Sequence, residues 1–151
     1  MSGRFAVQSL AGAYCVLASV AAYAQVPPGF NPLELPQAVT VKQEIQSTPP
    51  KWQAGRDAPK HILKSITVFD GPPSEQASLV PDNEADFRKS AYTLWTFDAK
   101  NPRQIWVQVE FARTSVTLAQ ALPKGTTELR VYYDRNISVE GSRQITRVVF
   151  R

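Results

Sequence analysis

Between Gln104 and Ala112 the chain alternates without a miss: Ile105, Val107, Val109 and Phe111 fall on one side, Gln104, Trp106, Gln108, Glu110 and Ala112 on the other. A period of two belongs to a strand, because a helix would spread those four apolar residues around its whole circumference. One dry face on a strand needs a second layer to cover it. Similar signals recur along the chain. Val39, Val41 and Ile45 oppose Thr40, Lys42, Glu44 and Gln46; residues 62–69, 92–97, 116–122 and 144–150 are rich in β-branched, apolar or aromatic side chains; Leu129, Val131 and Tyr133 alternate with Glu128, Arg130 and Tyr132. Turn residues separate these runs at Thr48-Pro49-Pro50-Lys51-Trp52, Asp70-Gly71-Pro72-Pro73, Asn101-Pro102 and Pro123-Lys124-Gly125. About seven strands at a spacing of about 8 to 12 residues predict one all-β domain over residues 37–151, an antiparallel sandwich or small barrel. Pro73 is suited to open a short helix through Leu79, ended by Pro81, and the charged stretch 82–89 reads as exposed loop. No internal repeat is present.

The N-terminus has a different character. Met1-Ser2-Gly3-Arg4 carries one positive charge, residues 5–22 carry none, and Ala22-Tyr23-Ala24 supplies small residues where a signal peptidase reads them. Residues 1–24 are therefore expected to be a cleaved signal peptide, with Gln25 the first mature residue. The competing reading is an uncleaved anchor, since about 18 to 20 apolar residues can span a bilayer, but this run is Ala- and Ser-rich and interrupted at Gln8 and Ser9. Cys15 follows Tyr14 in mid-segment, which does not suit a lipoprotein anchor. Residues 25–36, with Val26-Pro27-Pro28-Gly29-Phe30-Asn31-Pro32, read as an extended Pro-rich tether. The expected address is periplasmic or secreted, with no membrane span after cleavage.

Arg4 is the only charged residue in that leader, so the mature chain keeps a net charge of about +3. That mild excess is not the clustered basic stripe that nucleic-acid binding requires. Cys15 is the sole cysteine and leaves with the leader, which removes disulfides, thiol nucleophiles and thiolate metal sites together. The core alone must hold the domain.

One stretch carries a resemblance. Phe69-Asp70-Gly71-Pro72-Pro73-Ser74-Glu75-Gln76-Ala77-Ser78-Leu79-Val80-Pro81-Asp82, followed in order by Trp106, Leu118 to Leu122 with Pro123 and Gly125, and Arg130-Val131 running to Asp134, resembles a family of small uncharacterised exported proteins of Gram-negative bacteria. The resemblance spans roughly residues 35–150 and implies export and a compact β domain, with no activity or ligand to carry across. It also implies that relatives hold cysteines where this chain has Leu35, Val109, Leu129 and a residue within 148–150, so apolar contacts stand here in place of covalent links.

Catalytic chemistry finds little support. His61 is the only histidine, no Gly-x-Ser-x-Gly elbow accompanies it, and a histidine at a strand start is more simply structural. Asp82-Asn83-Glu84-Ala85-Asp86 lacks the glycine and distal glutamate of a calcium loop. No cofactor or metal is expected, and the Asn136-Ile137-Ser138 sequon is silent in a bacterial protein. Two surfaces remain as candidate binding sites. The segment 70–82 is either a recognition loop presenting Asp70, Glu75 and Gln76 or a scaffold corner that packs Leu79 and Val80. Trp106, Glu110, Arg130 and Tyr132 fall opposite the dry faces, and adjacent pairing of their strands would make one outward aromatic and charged patch, unless the N-terminal tether or the Trp52 loop covers it.

The reading that follows is a monomeric, non-enzymatic binding or interaction module whose partner is an envelope polymer or another exported protein. The contending reading is an inhibitor of a cell-wall hydrolase that plugs a cleft with the loop 70–73. A hydrolase built on carboxylates comes third.

Overall fold

The computed structural model describes residues 26–42, 47–53, 59–88 and 90–151. The expected leader and its cleavage point lie outside the described residues, as do the second half of the first expected strand (43–46), residues 54–58 of the loop before β3, and Lys89. Among the described residues there are nine strands: β1 (Asn31–Pro32), β2 (Ala38–Thr40), β3 (Lys60–Asp70), β4 (Asn83–Asp86), β5 (Ser90–Thr96), β6 (Ile105–Phe111), β7 (Thr117–Ala121), β8 (Glu128–Val139) and β9 (Ser142–Phe150). They form two antiparallel sheets, one in the order β1-β9-β8-β5-β4 and the other β2-β3-β6-β7. The domain is all-β, as the period-two pattern predicts.

Both sheets contribute to one core. Leu63 and Val68 of β3 and Ile105, Val107, Val109 and Phe111 of β6 meet Trp95 of β5, Leu129 and Val131 of β8, and Ile145 and Val148 of β9. The alternation that announces β6 is realised literally, its odd-numbered residues buried and its even-numbered ones half-exposed. Each large apolar side chain sealed this way contributes about 1.5–3 kcal/mol, which is how a domain without disulfides is held.

The positions where the resemblance implies cysteines in relatives come together two by two. Leu35 and Val109 line one groove, and Leu129 is the cross-strand partner of Phe150. Leu129 and Val109 are buried apolar residues here.

Three local expectations need correction. The helix predicted from Pro73 to Leu79 is a single 3-10 turn, Pro73–Glu75, ended by Gln76 at φ 57. The chain then extends, because Asp70 N–H donates to Ala77 O at 2.9 Å and Leu79 N–H to Val68 O at 2.8 Å, and these bonds tie residues 77–79 back onto β3. The charged stretch read as loop holds edge strand β4, paired with β5 from Asn83↔Leu94 to Asp86↔Ala91. An edge strand whose only apolar residue is Ala85 has no apolar alternation to betray it. Finally, the Pro-rich segment is no free tether: Asn31 and Pro32 pair with Phe150 and Val149, and Leu33 N–H donates to Val148 O at 2.9 Å.

Candidate functional site

The predicted outward patch divides in two. β6 lies between β3 and β7, whereas β8 lies between β5 and β9 in the other sheet. The physical reason is the turn after β7, where Pro123 and Gly125, at φ 80, carry the chain from one sheet to the other. Trp106 and Glu110 therefore stand on the outer face of the four-stranded sheet, where Glu110 accepts a 2.7 Å hydrogen bond from Ser65 Oγ. Arg130 and Tyr132 stand on the outer face of the five-stranded sheet, with neighbours that the sequence pattern does not single out.

Those neighbours build a ladder of rings and guanidiniums. Arg130 Cζ lies 4.6 Å from the Phe30 ring centroid on one side and 5.8 Å from that of Tyr92 on the other. Tyr92 and Tyr132, cross-strand partners of β5 and β8, have ring centroids 5.8 Å apart. Arg147 Cζ sits 4.2 Å over Tyr132, Arg151 Cζ 4.9 Å over Phe30, and Phe87 stacks on Tyr92 at 5.9 Å. Each guanidinium is attracted by the negative face of its ring. Arg135 Nη1 donates to Phe87 O at 2.9 Å and props the end of the row.

Glu128, only 6% exposed, anchors the ladder. It accepts from Arg130 Nε and pairs with Arg151 Nη2 at 2.6 Å. Burial works to lower the Arg130 guanidinium pKa, but hydrogen bonding to Tyr132 and Glu128 outweighs it and the net shift is upward, so the charge is permanent. Arg130 and Arg151 thus share the Glu128 carboxylate. Phe30 lies between the two guanidiniums that flank Val149, a residue of this face with no exposed surface. The N-terminal segment thus covers the Arg130 end, while Tyr92 and Tyr132 are partly exposed and Phe87 is 55% exposed. Trp52, at 75% exposure, covers nothing here.

The segment 70–82 is tied down internally. Arg103 donates to the Asp70 carbonyl oxygen and to Glu75 Oε2, and its Nε lies 3.3 Å from Asp70 Oδ2. Asn101 Nδ2 donates to Asp70 Oδ1 at 3.2 Å. Of the three residues predicted to face a partner, Asp70 and Glu75 are both engaged by Arg103 and Gln76 terminates the 3-10 turn. Arg103 directly follows the Asn101-Pro102 turn signal, but its contact with residues 70–75, about 30 positions earlier, has none in the local sequence. Leu79 packs on the core and its carbonyl accepts from Trp95 Nε1 at 3.2 Å, while Val80 is 84% exposed rather than packed. Asp82 takes hydrogen bonds from Thr96 Oγ1 and Thr96 N–H, both at 2.6 Å, and these hold its carboxyl below the usual range.

His61 is buried, its Nδ1 2.7 Å from Ala112 O. Burial raises the Tyr133 phenol, a shift reduced by a hydrogen bond with Thr93. Among the described residues no group of three or more His, Cys, Asp or Glu side chains is placed to hold a metal ion, and no described helix is long and apolar enough to cross a membrane.

No curated protein and no solved structure matches the chain. A family model does, over residues 57–148, from just before β3 almost to the end of β9. Its description is that of an immunity protein, a class whose work is to bind and restrain another protein. The chain belongs to the type VI secretion system Tli immunity protein family.

Proposed function

We propose that the mature domain is a periplasmic immunity protein that binds an effector delivered by a type VI secretion system and blocks it stoichiometrically, using the outer face of the five-stranded sheet. The observation that carries this reading is the ladder Arg151–Phe30–Arg130–Tyr92–Tyr132–Arg147. Tyr and Arg dominate the binding energy of protein interfaces. Here they are held in place by ring contacts and by Glu128 before any partner arrives, so little side-chain entropy is left to lose on binding. Two guanidiniums, those of Arg130 and Arg151, share the single Glu128 carboxylate and suit an acidic group on the effector.

The leader pattern of residues 1–24 supports export, which puts the immunity protein where a toxin entering the envelope would act. The corner 70–82 is read as scaffold, since Arg103 engages both of its forward carboxylates; the inhibitor reading is kept, with its contact moved from that loop to the sheet face.

The test is genetic. A strain that carries an active type VI apparatus and lacks this gene should be killed by its sister cells. Expression of the full chain should protect it, whereas a chain without residues 1–24, or one carrying Arg130→Glu with Tyr132→Ala and shown to be folded, should not. Full protection by the face variant would overturn the assignment of the face, and full protection by the leaderless chain would overturn the address.

A further inference from the structure

The ring of Phe30 fills a site that the rest of the chain builds without it. Arg130 Cζ and Arg151 Cζ lie 4.6 and 4.9 Å from the ring centroid. Val149, the cross-strand partner of Arg130 and two residues before Arg151, shares their face of the sheet and has no exposed surface. Both guanidiniums are held by the buried Glu128 carboxylate. Glu128 and Arg130 belong to β8, Val149 belongs to β9, and Arg151 follows β9 directly. The residues that shape the site therefore stay in place if Phe30 leaves it.

The segment that delivers the ring is held lightly. β1 is two residues long, and because Pro32 has no N–H, Asn31 supplies the only backbone donor of that strand. The next tie, Leu33 N–H to Val148 O at 2.9 Å, belongs to a leucine packed on the core, which makes Leu33 the fixed end of a strap. On the other side of Phe30, Gly29 turns the chain at φ 79 in open space. Segments with so few backbone bonds open locally before the rest of a domain unfolds. The strap also hides what the effector is assigned to meet: with the ring in place the Arg130 side chain is only 28% exposed.

We infer that Phe30 is a stand-in supplied by the chain itself, and that its site receives an aromatic side chain of the effector when the strap swings away about Leu33. This rests on the assignment of the ladder face to the effector. The site selects its occupant. Guanidinium planes attract the π-face of a ring, whereas an aliphatic side chain fills the same volume without that attraction. Phe30 itself shows that a ring fits between Arg130 and Arg151 while both remain paired with Glu128. A closed strap lowers the apparent affinity for the incoming ring by the fraction of molecules that are open, and removing Phe30 lifts that reduction.

Two probes separate the ring from its shape: p-cresol, which carries the tyrosine side chain, and 4-methylcyclohexanol, its saturated counterpart. They are titrated into the mature chain carrying Phe30→Ala and followed by NMR at the Val149 methyls and the Arg130 and Arg151 Nε–H groups. There p-cresol should bind about fivefold more tightly than 4-methylcyclohexanol, and it should bind wild type about tenfold more weakly than the variant, because Phe30 holds the site. Phe30→Ala should also bind the effector about threefold more tightly than wild type. Should that variant not fold, the strap can be locked instead. Asn31 and Phe150 are cross-strand partners, a pair whose Cα atoms lie within disulfide range at about 4.5 to 5.5 Å. Asn31→Cys with Phe150→Cys should bind the effector about tenfold more weakly oxidised than reduced. The inference is overturned if the two probes bind Phe30→Ala equally or not at all at millimolar concentration, if Phe30→Ala binds the effector no more tightly than wild type, or if the lock changes nothing. The probe titration needs no effector, so its failure strikes this subsite and leaves the face assignment standing. Full effector binding by Arg130→Glu with Tyr132→Ala would strike the face itself.

Discussion

A Cβ on Gly71 would occupy the space taken by the Arg103 guanidinium. Gly71 also has φ 100, a backbone region that side chains other than glycine's rarely adopt. The glycine and the arginine are one device, in which the bare backbone lets Arg103 reach the Asp70 carbonyl and Glu75 together. Gly71→Ala should therefore destabilise the domain by about 1–3 kcal/mol in urea unfolding. Arg103→Ala should cost less, because the pair with Glu75 is solvent-exposed. Equal stability of Gly71→Ala and wild type would remove the close-approach argument.

Asp82 supports stability above the ordinary carboxylate range. Its folded pKa is lowered by the two hydrogen bonds from Thr96, so this contribution is complete above the unfolded pKa and disappears as pH falls through the folded one. Asp82→Asn should be less stable than wild type at neutral pH, and the gap should begin to narrow as pH falls below about 4. Thermal melts of both proteins across that range provide the check; a gap that persists in acid would contradict the account.

The pairing of Leu129 with Phe150 can be converted into a covalent test. Glu128 and Arg151 exchange backbone hydrogen bonds, each at 3.1 Å, which makes the adjacent Leu129↔Phe150 pair the closer, non-hydrogen-bonded kind. Its Cα separation of about 4.5 Å lies within disulfide range. Leu129→Cys with Phe150→Cys should oxidise spontaneously and melt higher oxidised than reduced, by an amount corresponding to about 3 kcal/mol of loop closure. Free thiols after air oxidation would show that the register differs.

Phe30 gives the N-terminal segment a structural duty. Removing residues 26–32 deletes β1, uncovers Val149 and strips Arg130 and Arg151 of their shared ring. The truncated domain should lose about 2–4 kcal/mol in denaturant unfolding, and Phe30→Ala about half of that. An unchanged midpoint would return the segment to the role of tether.

The period-two signal exposed the long strands because their inner faces are dry along the whole length, as Ile105, Val107, Val109 and Phe111 show. It missed β4, whose side chains give no apolar contrast, and it could not say which strands are neighbours. Strand order depends on where the chain changes sheet, and the turn at Pro123 to Gly125 reads the same whether or not it does. Arg130 and Tyr132 were legible as outward residues. Their partners Phe30, Tyr92 and Arg147 lie 15 to 102 residues away in sequence, so only the register could assemble them.

The central claim is that the ladder face, and neither the Trp106 face nor the corner, meets the effector. The direct measurement is calorimetric titration of the purified effector with the mature domain and with folded Arg130→Ala, Tyr132→Ala and Trp106→Ala variants. The account predicts near one-to-one binding that weakens at least tenfold, about 1.4 kcal/mol or more, for Arg130→Ala and Tyr132→Ala and is unchanged for Trp106→Ala. Wild-type affinity in both ladder variants, with loss in Trp106→Ala, would contradict it.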